Sequence, residues 1–285
     1  MGLFKRNPFG HILFLKKWII RVFGFATHQR FRGFNSLQIE GSEVLRQLPD
    51  RHVLFISNHQ TYFADVVAMY HVFNASLKGR EDSIKNIFYI WKPKLNLYYV
   101  AASETMKAGW LPRILAYVGA VTVDRTWRSQ GKELEEKREV NQDQVENIKV
   151  ALDDGWVITF PQGTTKSFKP IRKGTAHIIK NYKPIVVPIV IDGFRRSFDK
   201  KGLHLKKKGI LQSMLIKEPL NIDYENDTIE QIVEKVEMAI EQHPSFLKVI
   251  PEEFIEEQKV LNEKRTYKYY KKGLSHCKKR QPSLF

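Results

Sequence analysis

The stretch FISNHQTYFAD, residues 55–65, sets an imidazole, His59, six positions before a carboxylate, Asp65. A neutral imidazole accepts a proton near neutral pH. A carboxylate on its other ring nitrogen fixes the tautomer and stabilises the imidazolium that forms. Such a pair can activate a hydroxyl for attack on a carbonyl carbon. The plainer reading is a loop histidine followed by a helix-capping aspartate. Two further stretches carry candidate binding groups. GAVTVDR, residues 119–125, ends in Arg125, whose fork at a strand end suits a phosphate or a carboxylate. FPQGTTK, residues 160–166, offers Gln162, Gly163, Thr164 and Lys166, with Lys169, Arg172 and Lys173 just beyond. Its backbone N–H groups are candidates to hold an oxyanion. The bland counterparts are a surface Asp124–Arg125 pair, a turn glycine, and a lysine in a loop before a helix. Trp91 and Lys92 fit structural or solvated roles.

These groups need rigid elements behind them. HVLFI, 52–56, reads as a buried strand, and ADVVAMYHVF after it as a helix, so His59 and Asp65 fall at a strand-to-helix turn. LQIEG, AVTVDR, WVITFPQG, PIVVPIVID and SMLIKEPLNI read as further strands. LPRILAYVG, GTAHIIKNY and TIEQIVEKVEMAIEQH read as helices, and a charged helix is expected from about 129 to 153. NIFYIWKP and YYVAAS are extended or mixed. The alternation predicts an α/β fold, a mixed but mostly parallel central sheet flanked by helices. No internal repeat or domain-scale linker interrupts it.

The chain has 285 residues and a formal charge of +16. That excess calls for an anionic partner: a phospholipid surface, a phosphate-bearing substrate or nucleic acid. A single cysteine, Cys277, rules out an internal disulfide and a cysteine metal site, and there is no His-Glu-x-x-His, so no metal centre is expected. No glycine-rich nucleotide loop or serine nucleophile elbow occurs. The expected organisation is an N-terminal amphipathic basic segment, 1–36, a catalytic domain, 37–250, and a basic extension, 251–285. The first is rich in Ile, Leu, Phe and Trp, carries Lys16, Lys17 and Arg21, and has no acid before Glu40. This predicts a helix lying in a membrane interface, against the alternative of a helix packed on the core with snorkelling lysines. The extension interleaves Tyr267, Tyr269 and Tyr270 with lysines and arginines, suiting anionic lipid or RNA, against the plainer reading of a solvated tail.

NHQTYFAD, GAVTVDR, FPQGTTK and VVPIVI, in that order, resemble the four blocks of the glycerolipid acyltransferase family, typified by 1-acylglycerol-3-phosphate acyltransferases. The resemblance spans roughly residues 37–220. It implies direct transfer of a fatty acyl chain from an acyl carrier protein or coenzyme A thioester to a lysolipid hydroxyl. His59 would be the general base and Asp65 its orienting partner. Arg125, Gln162, Gly163, Thr164, Lys166 and Lys173 would bind substrate. No cofactor beyond the thioester co-substrate is implied, and no nucleic acid is expected. The enzyme would sit peripherally on the cytoplasmic face of the cell membrane, serving phospholipid biosynthesis. Two departures from the family pattern stand out: five residues rather than four separate His59 from Asp65, and Gln162 and Thr165 replace Glu and Arg. The second motivates an alternative acceptor, an amino-acid lysolipid without glycerol phosphate. The rival class is a non-catalytic binder of anionic lipid or nucleic acid.

Overall fold

The computed structural model describes residues 4–124 and 142–247. The chain divides into two compact units, Met1–Pro244 and Ser245–Phe285, and the first carries the sheet and its helices. In chain order these are α1 (Leu13–Arg32), β1 (Ser36–Glu40), α2 (Val44–Gln47), β2 (Val53–Ser57), α3 (Ala64–Ser76), β3 (Leu97–Ala102), α4 (Ser103–Lys107), α5 (Trp110–Tyr117), β4 (Ala120–Val123), α6 (Gln142–Asp154), β5 (Trp156–Thr159), α7 (Lys173–Tyr182), β6 (Ile185–Asp192), α8 (Phe194–Ser197), β7 (Leu211–Ile216) and α9 (Ile229–Ala239). Residues Ile87–Trp91, read from the sequence as extended or mixed, form a 3₁₀ turn. The charged helix expected from 129 is described from Gln142 onward, and its earlier part lies outside the described residues.

The seven strands form one sheet in the order β1-β7-β6-β2-β5-β3-β4. Every pairing is parallel except β6 with β7. The expected mixed, mostly parallel sheet is therefore present. β2 and β5 are buried along their whole length, as strands covered on both faces must be. Alternate residues serve opposite faces. Phe55, Trp156 and Val187 pack toward α1 and α3; Leu54, Ile56 and Val157 pack toward α6, α7 and α9. A capping box holds the start of α9: Gln231 N donates to Thr228 Oγ1 at 3.2 Å, and Thr228 N donates to Gln231 Oε1 at 2.7 Å.

α1 belongs to the same compact unit, with Ile20 and Phe31 in the core. Its polarity runs opposite to a simple interfacial helix with charges outward. Lys16 is fully buried, donates to Leu97 O at 3.3 Å and lies 4.6 Å from the Tyr98 ring centroid. Burial pushes its ammonium pKa down to about 7, against a smaller opposing pull from Asp154. Arg21 donates from Nε to Trp91 O at 3.0 Å and stacks over the Trp91 and Trp18 rings. Phe14, Trp18, Val22 and Phe25 remain exposed along one face. Two of the expected interfacial charges thus turn into the protein, and the outer stripe is apolar. Among the described residues, no helix is long and apolar enough to cross a membrane.

Candidate active site

Strands β6, β2, β5, β3 and β4 are mutually parallel, so their C-terminal ends share one edge, where ligands of such sheets commonly bind. His59 follows β2 on that edge. Sheet pairing of β2 with β6 stops at Ser57 and Ile189, and Asn58 extends it by side chain. Its Oδ1 accepts from Ile191 N and its Nδ2 donates to Ile191 O, both at 2.8 Å. Gln60 is tied to the same strand end, donating to Asp192 Oδ1 at 3.1 Å. The residues on either side of His59 are thereby fixed to β6.

His59 Nδ1 lies 2.9 Å from Asp65 Oδ2. Asp65 is fully buried in the first turn of α3. It also accepts from Gln60 N at 2.6 Å, from Thr61 N at 3.0 Å and from the Thr61 hydroxyl at 2.7 Å. These donors leave the carboxylate one orientation. The five-residue spacing is absorbed by a wider turn, whose extra N–H groups find partners in a distant loop. Tyr62 N donates to Lys200 O at 3.1 Å and Phe63 N to Lys201 O at 3.0 Å. Gly202, at φ +76°, seals this contact: a Cβ there would lie 2.5 Å from Ala64 N and 2.7 Å from Thr61 Oγ1. A proton on Nδ1 donated to Asp65 leaves Nε2 as the acceptor. The ring stacks on Phe160, centroids 3.9 Å apart, and its side chain is 13% exposed.

Two clefts meet here. One, of about 220 Å³, contains His59 and is walled by Val100, Ala101, Ala102, Met106 and Val123 from the ends of β3 and β4 and from α4. The other, of about 780 Å³, begins at Gln60 and is walled by Lys166, Lys169, Arg172, Arg195, Lys200 and Lys206. They share Tyr62, Gly163, Thr164, Thr165 and Arg172. An apolar groove and a cationic cleft therefore open on either side of the turn that carries the imidazole.

The other sequence candidates divide. Gly163 takes φ +60°, and Thr164 lines both clefts. Lys166 stands on the cationic wall. Gln162 is buried and turned into its own loop, donating to Lys169 O at 2.8 Å and to Gln242 Oε1 at 3.2 Å. Its amide nitrogen therefore braces the turn, while the residue still lines the cationic cleft and its Oε1 accepts no hydrogen bond among the described residues. Lys173 is not brought to the site; its Nζ pairs with Glu230 Oε1 at 2.6 Å between α7 and α9. Arg125 lies outside the described residues, while Asp124 lines the apolar groove. Of the cations noted beyond the third block, Arg172 packs against the turn. A Cβ on Gly163 would lie 2.7 Å from its Cζ. Gln60 and Arg195 went unnoticed in the sequence. Gln60 adjoins His59 and could have been found there, but nothing local marks Arg195.

A histidine–carboxylate pair thus stands at the C-terminal edge of a mostly parallel α/β sheet, between an apolar groove and a cationic cleft. The family model described as "Acyltransferase" matches residues 36–192, and the chain belongs to that family. Among solved structures it is similar to the 1-acyl-sn-glycerophosphate (LPA) acyltransferase PlsC from Thermotoga maritima. The two are 19% identical with a TM-score of 0.49 over 80% of this chain and 77% of that one. No curated protein matches the sequence.

Proposed function

We propose that this acyltransferase moves a fatty acyl chain from a thioester of coenzyme A or acyl carrier protein to the free hydroxyl of a lysolipid, 1-acylglycerol 3-phosphate being the preferred acceptor. The observation that carries the reading is the 2.9 Å contact of His59 with Asp65 where the apolar groove meets the cationic cleft. His59 Nε2 takes the hydroxyl proton as the oxygen attacks the thioester carbon. Asp65 holds the tautomer and steadies the imidazolium. Gly163 N is spent on Phe160 O at 2.9 Å, so the backbone N–H groups of Thr164 and Thr165, which line both clefts, are the candidates to hold the developing oxyanion. Collapse of the tetrahedral intermediate breaks the C–S bond, and the imidazolium returns the proton to the departing thiolate. The product is an ester and a free thiol, with no acyl-enzyme. The acyl chain occupies the groove beside Val100 and Met106, and the acceptor phosphate occupies the cationic cleft. Arg125 joins the acceptor grip in this reading.

The exposed apolar stripe of α1 supports residence on a membrane surface, the source of the acceptor and the sink of the product. The test is a panel: purified protein, acyl-CoA and acyl carrier protein thioesters, and lysolipids with phosphate, zwitterionic and amino-acid heads. Products are identified by mass. Diacylglycerol phosphate as the dominant product is expected. Acylation confined to a head group without phosphate would overturn the acceptor assignment.

A further inference from the structure

We propose that Arg195, from the short helix after β6, supplies one arm of a phosphate clamp whose other arm is Arg172, and that the clamp holds the acceptor's phosphomonoester. The proposal rests on the acyl-transfer reading and adds a residue to it. Arg195 is exposed, and its side chain crosses to the turn after β5, where it donates to Thr165 O and approaches Ser167 Oγ at 3.4 Å. Its backbone N donates to Gln60 Oε1 at 3.1 Å. Arg195 therefore ties together the residue beside the proposed base, the glycine turn and the end of β6.

Charge distinguishes it from its neighbour. Arg196 is paired with Asp192 at 2.8 Å. Among the described residues no carboxylate pairs with Arg195, whose partners are neutral oxygens. Those oxygens fix the guanidinium without cancelling its charge. Arg172 lines the same cleft, its guanidinium against Gly163, where a Cβ would lie 2.7 Å from its Cζ. Two forked donors on one cleft match a phosphomonoester, which carries between one and two negative charges and three acceptor oxygens. Proximity to the base adds selectivity. In 1-acylglycerol 3-phosphate the free hydroxyl and the phosphate sit on adjacent carbons. The phosphate site must then lie near the imidazole, and the bond from Arg195 N to Gln60 Oε1 places the backbone of Arg195 against the side chain that follows His59. Coenzyme A also carries phosphates, so the two sources need separate measurements.

Arg195→Ala and Arg195→Lys are compared with wild type at varied lysophosphatidate and at varied acyl-CoA. Melting temperature is recorded for each. Arg195→Ala is expected to raise the KM for lysophosphatidate about tenfold or more with kcat within about twofold, and to leave the KM for acyl-CoA unchanged. Arg195→Lys should recover part of the loss. Titration of sn-glycerol 3-phosphate into each protein reads the clamp without turnover, and weaker binding to Arg195→Ala is expected even if another lysolipid proves to be the acceptor. Unchanged glycerol 3-phosphate binding with an unchanged KM for lysophosphatidate would overturn the proposal, and so would a rise confined to the KM for acyl-CoA. Equal losses in kcat and both KM values with a lowered melting temperature would reduce Arg195 to a brace of the 165 turn, also overturning it.

Discussion

At the scale of single residues, the protein sets polar groups where packing alone would not. Lys16 is the extreme case, an ammonium buried with one carbonyl acceptor and an aromatic face. Its folded pKa of about 7 lies below the ordinary value of 10.5. Between those values the unfolded chain holds a proton that the folded chain does not, so stability rises with pH across that window. Below it both states are charged and the burial cost is felt in full. Lys16→Met should therefore stabilise the protein most at and below pH 7, the gain fading toward pH 10.5. The full difference is on the order of 5 kcal/mol. Urea denaturation at several pH values checks this, and parallel pH profiles for variant and wild type would contradict it. His59 and Asp65 were legible as a pair because one turn contains both. The inward turn of Lys16 was not legible from composition, which gives residue types without facing. The spacing of Phe14, Trp18, Val22 and Phe25 held that information, since steps of four and three residues mark one helical face. The partners of the Gln162 amide, Lys169 O and Gln242, were hidden for a related reason: they cannot be inferred from the motif around it.

At the scale of elements, strands were readable where they are covered on both faces. β2, β5 and β6 are nearly continuous apolar runs bounded by turn residues. The helices of one turn, α2, α4 and α8, are too short to show a period, yet α8 delivers Arg195 to the cleft. Strand order and the reversal at β7 depend on contacts between residues far apart in sequence. α1 carries the element-level expectation. Core contacts through Ile20 and Phe31 mean that deleting the helix would damage the fold, so its surface must be tested by substitution. Each exposed apolar side chain moved into lipid contributes roughly 1.5–3 kcal/mol. Trp18→Glu combined with Val22→Glu should lower partitioning into anionic vesicles by more than about 100-fold while leaving the melting temperature near that of wild type. Equal co-sedimentation of the double variant and wild type would end the case for docking through this face.

At the scale of the whole molecule, the sheet brings three chain segments to one edge: the turn after β2, the turn after β5 and the end of β6. Asn58 and Gln60 bond to residues more than 130 positions away, and Gly202 from a basic loop closes over the turn that carries His59. The net charge of +16 announced an anionic partner, but only the assembled edge separates a cationic cleft from an apolar groove. Membership of the acyltransferase family fixes the reaction class, and the two clefts on either side of His59 support a lipid donor chain and an anionic acceptor. The central claim is that His59 is the base for transfer to the acceptor hydroxyl. Its most direct test is the rate of product formation, followed by mass, for His59→Ala beside wild type with saturating thioester and lysophosphatidate. A fall of at least about 100-fold with an unchanged melting temperature is expected, since removing a positioned general base forfeits that much or more. A wild-type rate from a folded His59→Ala protein would contradict the account.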